Sequence, residues 1–286
     1  MIHIGIVGSE NSHALKFSEL ANLDNSSSGP RVDGVAVTML YGEDREQALA
    51  TAKEGVVPHV VDHPADMLGQ IDAVMITARH GGKHAGLALP FIEAGIPTFV
   101  DKPLAISLDD CHQMIDAAKE HNTLLTSYST LRYADQVKGL QDRLENLGTL
   151  VAGVSTGPCD FLSQYGGPFF YGTHAIETML AVFGHSVKNV TGRMVGVNCI
   201  ATVEYESGAL INLNLLGNAA YAFHIVAYGT EGWESVPIDL SSCYANGFRV
   251  FVEMMRTGRM PLTYDQLLDP IRVLHSVVAA VEEAAV

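Results

Sequence analysis

Short apolar segments alternate with helical patterns along the first 125 residues, and this alternation is the strongest constraint on the fold. The apolar segments cover residues 2–7, 35–41, 72–78, 98–100 and 124–127. Helical patterns lie between them over residues 12–22, 44–54, 83–94 and 108–121. Strands that alternate with helices form a parallel sheet with right-handed crossovers and helices on both faces. The sequence therefore predicts an α/β, Rossmann-like N-terminal domain.

The pattern changes beyond residue 125, where predicted strands follow one another with short turns. These strands cover residues 149–156, 197–205, 209–216, 222–228 and 232–238. Helical patterns cover residues 134–145, 248–254 and 264–285. Consecutive strands joined by turns such as Glu206-Ser-Gly208 are typical of antiparallel pairing.

We therefore expect two domains. Residues 1–125 form a dinucleotide-binding domain. Residues 126–286 form an α+β domain with an open, mainly antiparallel sheet that serves substrate binding and oligomerisation. The C-terminal helix is free to pack back on the first domain.

Composition restricts the partners and the compartment. The net charge is −15 at pH 7, and no cluster of Lys and Arg is present. Nucleic acids and anionic membranes require a basic face, so we expect a small-molecule substrate and neither of those partners. No apolar run approaches the ~18 residues of a membrane span, and no export signal is visible. Four scattered cysteines fit neither a disulfide framework nor a zinc ribbon, which favours the reducing cytoplasm.

Lys102 is the residue that most strongly suggests chemistry. It follows the predicted strand at residues 98–100 and precedes Pro103. Ligands of open α/β sheets bind just beyond the carboxyl ends of the strands. Partial burial there lowers the pKa of a lysine, so that it acts as an acid or base near neutrality. The alternative is a surface lysine at the end of a strand.

The segment from Gly8 to His13 occupies the place of a G-x-G-x-x-G phosphate loop and retains only its first glycine. Glu10 stands where bare backbone approaches a pyrophosphate. A carboxylate ~4 Å from a phosphate charge costs about 4 kcal/mol at an effective dielectric constant near 20. Side chains that suit an anion-binding helix N-terminus remain at Ser9, Asn11 and Ser12. An ordinary turn that binds nothing is the alternative.

Two acids, Glu43 and Asp44, follow the second predicted strand. An acid at this place grips the ribose hydroxyls of the adenosine, which favours NAD over NADP. Arg45 offers the opposite possibility, because a guanidinium can hold a 2′-phosphate. The cofactor is therefore expected to be NAD or NADP, with NAD favoured.

Several motifs occur in a fixed order along almost the whole chain. They are Gly5-Ile-Val-Gly8, residues 72–77 followed by His84, the segment A-G-I-P-T-F-V-D-K-P at residues 94–103, Arg132-Tyr133, and G-G-P-F-F-Y-G-T-H-A-I-E at residues 166–177. Together they resemble the glucose–fructose oxidoreductase/inositol dehydrogenase/MocA family. The resemblance extends from Ile4 to about Val281.

This resemblance implies an NAD(P)-dependent oxidoreductase that transfers hydride between nicotinamide and a small polyol, sugar or cyclitol-like substrate. By position, Lys102 matches the family's catalytic lysine and His174 its catalytic histidine. The implied cofactor-binding set adds Thr77, His80, His84, Asp101 and Lys102. The implied substrate-binding set is Lys102, Arg132, Tyr171, His174 and Glu177. A homo-oligomer formed through the C-terminal sheet is also implied.

For some of these residues a purely structural role is the alternative. Arg132 fits a structural salt bridge equally well, and His174 alone fits a buried structural histidine. His80 and His84 are four residues apart, a spacing that can hold a metal, but Gly81-Gly82 between them makes the helical turn doubtful. We expect no metal.

The sequence also departs from the family at Phe170, where the family has an aspartate four residues before its histidine. Tyr171 and Glu177 are candidates to orient His174 in its place. With Glu10 and His13, Phe170 favours a non-catalytic ligand sensor as one alternative function. A lyase or hydrolase that uses His174 and Glu177, with or without a metal, is the other.

Overall fold

The computed structural model describes residues 1–284, which form two compact units. The first unit comprises Met1–Tyr128 and Tyr244–Leu267. The second comprises Ser129–Cys243 and the described residues from Leu268 onward. The division expected from the sequence assigned residues 244–267 to the second domain, whereas the structure groups them with the first.

The strands of the first unit are β1 Ile2–Val7, β2 Asn25–Ser26, β3 Gly29–Pro30, β4 Val35–Tyr41, β5 His59–Val60, β6 Ala73–Ile76, β7 Thr98–Asp101 and β8 Leu125–Tyr128. Six of them form one sheet in the order β5-β4-β1-β6-β7-β8, and every pair is parallel. The predicted Rossmann-like sheet is confirmed. The order reverses between β1 and β6, which is where doubly wound folds bind ligands.

The α-helices of the chain are α1 Ser12–Asn22, α2 Arg45–Glu54, α3 His84–Glu93, α4 Leu108–Glu120, α5 Asp135–Gln141, α6 Pro168–Phe183, α7 Cys243–Thr257 and α8 Tyr264–Glu283. Side-chain caps fix three of their starts. Asn11, Asp44 and Ser107 each accept a hydrogen bond from a backbone N–H in the first turn of α1, α2 and α4. Such caps satisfy N–H groups that the helix itself leaves unpaired.

Aromatic packing explains why the returning segment belongs to the first unit. Phe248 stacks on Phe17 with ring centroids 5.8 Å apart, and Phe251 packs on Phe99 at 5.7 Å. All four rings are almost completely buried. A helical pattern in the sequence shows that such a segment is amphipathic, but it does not show which sheet the apolar face covers.

The strands of the second unit are β9 Leu150–Pro158, β10 Val187–Val195, β11 Asn198–Tyr205, β12 Leu210–Leu216, β13 Phe223–Gly229 and β14 Trp233–Ile238. They form one sheet in the order β10-β11-β12-β9-β13-β14. Only the β12–β9 pair is parallel, so the predicted α+β domain with a mainly antiparallel sheet is confirmed. The edge strand β10 was not predicted, because Lys188-Asn189 interrupts its apolar alternation.

Helix α6 covers one face of this sheet. Ser155 on β9 donates its hydroxyl to the carbonyl of Ala175, with an O···O distance of 2.8 Å. A Cβ added to Gly153 would lie 2.2 Å from the Phe183 ring, so the close approach requires glycine. The opposite face exposes Ile200, Leu210 and Trp233. Within the described residues, no helix has the length and apolar character needed to cross a membrane.

Candidate functional site

The turn from β1 into α1 begins at Gly8, whose φ is +112°. A Cβ at this position would lie 2.4 Å from the backbone nitrogen of Ala78, so no other residue fits. The retained first glycine therefore has a steric reason. It allows the end of β1 to approach the chain that leaves β6.

Asn11 fixes the shape of this turn. Its Oδ1 accepts a hydrogen bond from the backbone N–H of His13 at 2.7 Å, and its Nδ2 donates to the carbonyl of Thr77 at 2.8 Å. Thr77 in turn donates its hydroxyl to the carbonyl of Gly8 at 2.6 Å. The buried Thr77 side chain thus shapes the loop and does not present its hydroxyl to a cofactor.

Ser9 and Glu10 differ from the prediction in the direction of their side chains. The Ser9 hydroxyl is buried beside Gly42, where a Cβ would lie 2.0 Å from its oxygen. One oxygen of Glu10 is also buried, and the Glu10 charge helps to raise the pKa of Lys83, after the stronger effect of a hydrogen bond to Glu43. The Lys83 ammonium thus attracts the Glu10 carboxylate, but both oxygens of Glu43 bind it, so Lys83 cannot balance the two carboxylates. Ser12 is exposed at the start of α1.

The acids after β4 have partners of their own. Both carboxylate oxygens of Glu43 accept from the Lys83 ammonium, at 2.7 and 2.6 Å. Asp44 caps α2 by accepting from the Gln47 N–H at 3.0 Å. Arg45 pairs with Asp62. Glu43 remains half-exposed in this pair and is the acid best placed to receive ribose hydroxyls.

Lys102 follows β7 directly and is buried, with 7% of its surface exposed. Burial is the largest effect on its ammonium and lowers the pKa of Lys102 from 10.5 to about 8. The charge of Asp101 opposes this shift and that of Arg79 adds to it. The lysine expected from the sequence to work near neutrality thus lies in an environment that produces such a pKa.

Asp101 supports Lys102 from one residue away. Its Oδ2 lies 2.6 Å from the Nδ1 of His13, and its Oδ1 accepts from the backbone N–H of Lys102 at 2.9 Å. Burial acts to raise the pKa of Asp101, but the charge and hydrogen bond of His13 and the charge of Lys102 outweigh it, so the pKa is lowered. Asp101 is only 2% exposed, so its side chain holds the site together instead of contacting a cofactor as predicted.

The two histidines at the start of α3 also have backbone partners. The Nδ1 and Nε2 of His84 lie 2.7 Å and 2.8 Å from the carbonyl oxygens of Pro103 and Ala78, and the ring is fully buried. A ring nitrogen of His80 accepts from the Gly82 N–H at 3.0 Å. This placement differs from the predicted cofactor contact by His84, and it leaves His84 no nitrogen for a metal. In the part of the chain that the structure describes, no group of three or more His, Cys, Asp or Glu side chains is placed to hold a metal ion.

In the second unit, His174 lies half-buried in the middle of α6. Its Nδ1 is 2.7 Å from the hydroxyl oxygen of Ser129, the residue that follows β8. The ring also packs edge-on against Tyr171 at 5.5 Å and Phe223 at 5.6 Å, measured between ring centroids. The hydrogen bond with Ser129 and the contacts with these aromatic rings thus help to hold the imidazole.

Arg132 and Glu177 form a buried ion pair, with an N···O distance of 2.5 Å and side-chain exposures of 7% and 4%. Burial raises the pKa of Glu177, against the opposing charge and hydrogen bond of Arg132 and a backbone hydrogen bond from Ser129. The structure therefore favours the salt-bridge alternative for Arg132. Glu177 neither orients His174 nor lies open to substrate, which removes the basis of a His174–Glu177 lyase or hydrolase.

A cavity of about 300 Å³ lies next to Tyr171 in the second unit. Tyr221 and Asp160 also line it. Burial, together with Tyr171, raises the pKa of Tyr221 to about 12, so Tyr221 remains a neutral hydrogen-bonding group. The predicted substrate contact by Tyr171 is compatible with this position.

Residues 2–129 match the family GFO_IDH_MocA, described as an oxidoreductase family with an NAD-binding Rossmann fold. The predicted resemblance to the Gfo/Idh/MocA family is thus confirmed over these residues, the N-terminal part of the chain.

Curated proteins that the chain resembles include inositol dehydrogenases. An inositol 2-dehydrogenase/D-chiro-inositol 3-dehydrogenase of Halalkalibacterium halodurans is 28% identical over 135 residues, which are 47% of this chain and 37% of that protein. An inositol 2-dehydrogenase of Burkholderia lata is 23% identical and matches 89% of this chain and 79% of its own length. In the alignments of higher sequence identity, such as the first, this chain thus spans less than two fifths of the relatives' own length.

Solved structures of the family share the fold. A scyllo-inositol dehydrogenase of Lactobacillus casei with bound NAD(H) and scyllo-inositol has a TM-score of 0.86 at 16% identity, covering 99% of this chain and 98% of its own. A myo-inositol 2-dehydrogenase of Lactobacillus plantarum has the same TM-score, identity and coverage.

The sequence did not point to two residues of the candidate site. Ser129 contacts His174, and His13 contacts Asp101. Ser129 had a usable signal, because it is a polar residue at the carboxyl end of a parallel strand. His13 had been regarded only as a lost glycine.

Proposed function

We propose that the protein is an NAD(P)-dependent oxidoreductase that transfers hydride between nicotinamide and a hydroxyl-bearing carbon of a small polyol, sugar or cyclitol. The observation that carries this proposal is Lys102, a buried lysine with a pKa of about 8 directly after β7. A family with an NAD-binding Rossmann fold gives that lysine its context.

The residues of the first unit fit a dinucleotide. Gly8 permits the tight turn, and the first turn of α1 contains no acidic residue, so its N–H groups and dipole favour a phosphate. Lys83 attracts the Glu10 carboxylate, although its ammonium is bound by Glu43. Glu43 is half-exposed at the end of β4 and is the acid for the ribose hydroxyls, which favours NAD over NADP.

The bound nicotinamide supplies the hydride acceptor. In the oxidative direction, the Lys102 ammonium donates a hydrogen bond to the substrate oxygen and stabilises negative charge that develops there. His174 accepts the hydroxyl proton as the general base. Oxidation would yield a ketone or aldehyde, since the hydride of the carbinol carbon would pass to the nicotinamide with two electrons and the hydroxyl proton to His174.

The relatives support a cyclitol as the substrate class. Those reported above are inositol dehydrogenases, and one solved structure holds scyllo-inositol. In the second unit, Tyr171 and Tyr221 contribute aromatic faces and hydroxyl groups beside a cavity of about 300 Å³. A few polar groups on a mostly apolar wall suit a small polyol.

The test combines binding and turnover. Purified protein is titrated with NADH and NADPH by thermal shift, and reduction of NAD⁺ and NADP⁺ is followed with a panel of inositol isomers and hexoses. We expect tighter binding of NADH and turnover with at least one cyclitol. Lys102→Ala should retain NADH affinity and lose turnover. Binding of neither nucleotide would refute the proposal.

The ligand-sensor alternative is tested by the same assay. It predicts nucleotide or polyol binding without turnover. One of the features that favour it is weakened, because His13 pairs with Asp101 and so has a structural role in this fold.

We further propose that the protein is a cytoplasmic homo-oligomer assembled through the exposed face of the second sheet. Ile200, Leu210 and Trp233 on that face are 54%, 50% and 65% exposed. Large exposed apolar side chains on one face are typical of subunit contacts. All four cysteines are buried and none forms a disulfide, as suits a reducing compartment. Light scattering should show an oligomer that Ile200→Glu dissociates. Val151→Glu, at another exposed position on β9, is the comparison variant.

A further inference from the structure

Ser129 makes a contact with His174 that is built into the fold. Its side chain is fully buried, and its oxygen lies 2.7 Å from the Nδ1 of His174. The same oxygen accepts a hydrogen bond from the backbone N–H of Leu131 at 3.2 Å. The hydroxyl is therefore held in one place by a backbone group, and it is not free to rotate away from the imidazole.

The backbone of Ser129 has a second task. Its N–H donates a hydrogen bond to Glu177, which lies one helical turn beyond His174 on α6. Glu177 is also bound by Arg132 at 2.5 Å. One residue thus contacts α6 twice, through its main chain at Glu177 and through its side chain at His174. A fixed main chain fixes the position of the hydroxyl.

The chemistry of a hydroxyl differs from that of a carboxylate. A serine oxygen can both donate and accept a hydrogen bond, whereas an ionised carboxylate only accepts. A hydroxyl partner therefore tolerates Nδ1 with or without a proton, and it adds no negative charge that would hold the imidazole in its cationic form. It fixes the plane of the ring while the histidine changes protonation state.

We infer that Ser129 is the positioning residue for His174, holding the imidazole by Nδ1 so that Nε2 exchanges the proton with the substrate. This inference rests on the oxidoreductase function proposed above. Ser129, which follows β8, then orients His174. The sequence had suggested Tyr171 or Glu177 for this role. Tyr171 packs its ring edge-on against the imidazole, and Glu177 is bound by Arg132.

Ser155 provides a matched control. It is also a buried serine, and its hydroxyl also binds α6, at the carbonyl of Ala175. It differs from Ser129 in contacting the helix backbone and not the imidazole. Ser129→Ala and Ser155→Ala therefore each remove one buried hydroxyl that holds the same helix, and only the first removes the partner of His174.

The experiment measures the ring and the reaction separately. The ¹⁵N signals of His174 report which ring nitrogen carries the proton, and they are assigned among the 12 histidines by their loss in His174→Gln. We expect Ser129→Ala to change these signals and Ser155→Ala to leave them unchanged. In steady-state kinetics, Ser129→Ala should lower kcat by about 10-fold or more, since orientation of a general base is a large part of its effect. KM for NAD⁺ should stay the same. Ser155→Ala should retain kcat within about twofold.

Ser129→Thr keeps the hydroxyl and should restore most of kcat. Because it adds a methyl group at a fully buried position, the comparison of the two alanine variants decides the matter if the threonine variant does not fold. Unchanged His174 signals in Ser129→Ala would overturn the inference, as would equal losses of kcat in both alanine variants. If the wild-type protein oxidises no polyol, the proposed function fails, and the ¹⁵N signals still test the contact between Ser129 and His174.

Discussion

The two units support their candidate catalytic groups in opposite ways. In the first unit, Lys102 is a buried cation whose neighbour Asp101 is charged and is itself held by His13. In the second unit, His174 is half-buried, and its partner is the neutral hydroxyl of Ser129. The nearby carboxylate of Glu177 is neutralised by Arg132 instead.

This difference separates two means of preparing a group for proton transfer. Around Lys102, burial and charge shift the protonation equilibrium, and the pKa falls to about 8. Around His174, a hydrogen bond and aromatic contacts fix the orientation of the ring. We therefore expect substitution of Lys102 to remove a transition near pH 8, and removal of the Ser129 hydroxyl to lower the rate without moving that transition.

The largest expected effect is on turnover. Lys102→Met and His174→Gln should each lower kcat by about 10²- to 10⁴-fold, the range for loss of an acid or base. In the wild type, kcat/KM for oxidation should fall above pH 8 as Lys102 loses its proton. Lys102→Met should lack this transition, and His174→Gln should retain it in its residual activity. Lys119→Met, an exposed lysine, is the control. A transition near pH 8 that survives in Lys102→Met would contradict the role of Lys102.

The ion pair of the second unit should show the next largest effect, on stability. Arg132→Met leaves the carboxylate of Glu177 buried and unpaired, which should lower the free energy of unfolding by about 3–5 kcal/mol. The double variant Arg132→Met/Glu177→Leu should recover most of this loss, because it buries no charge. Urea unfolding measures both. Equal losses in the single and the double variant would show that the pair does not act as a unit.

Lys102 should also make stability depend on pH. Its pKa is about 8 in the folded state, against 10.5 as the ordinary value. Between these values the unfolded chain binds the proton and the folded chain does not, so the free energy of unfolding should rise from pH 8 to pH 10.5, by up to about 3 kcal/mol. Relative to wild type, Lys102→Met should therefore be more stable at pH 7, and this difference should shrink as the pH rises. A constant difference between the two proteins would refute this account.

The smallest expected effect concerns His13. His13→Ala removes one hydrogen bond from the buried carboxylate of Asp101 and should lower the free energy of unfolding by about 1–3 kcal/mol. It should also raise the pKa of Asp101, because the charge of His13 helps to lower it. His3→Ala, at an exposed position, should change stability by less than about 0.5 kcal/mol. Chemical denaturation at neutral pH compares the two.

The sequence was sufficient to predict most of the helices and strands, and to predict the resemblance to the family that residues 2–129 match. Apolar segments and caps predicted β1, α1 and β4 with the bounds that the structure has. Two failures share a physical cause, since β10 and the small β2–β3 hairpin contain few apolar residues and depend on pairing with other strands. The parallel β12–β9 pair was also not predicted, because sheet order depends on contacts between distant segments.

The candidate site was predicted less completely than the fold. Lys102 could be identified because its position after a strand has a chemical meaning. The task of each neighbouring polar residue could not, since Asp101, His84 and Glu177 have partners that lie far away in the chain. A residue type shows what a side chain can bind, and only the packed structure shows what it does bind.

The hydrogen bonds that join Asn11, Thr77 and Gly8 have a consequence for the kinetics of cofactor exchange. A turn braced by side chains from two strands keeps its shape whether or not a nucleotide is present, so little ordering entropy remains to be lost on association. We expect stopped-flow traces with NADH to show a single phase whose rate grows linearly with nucleotide concentration. Such a single phase would indicate that NADH binds to a loop that already has its final shape, with no later step of loop closure.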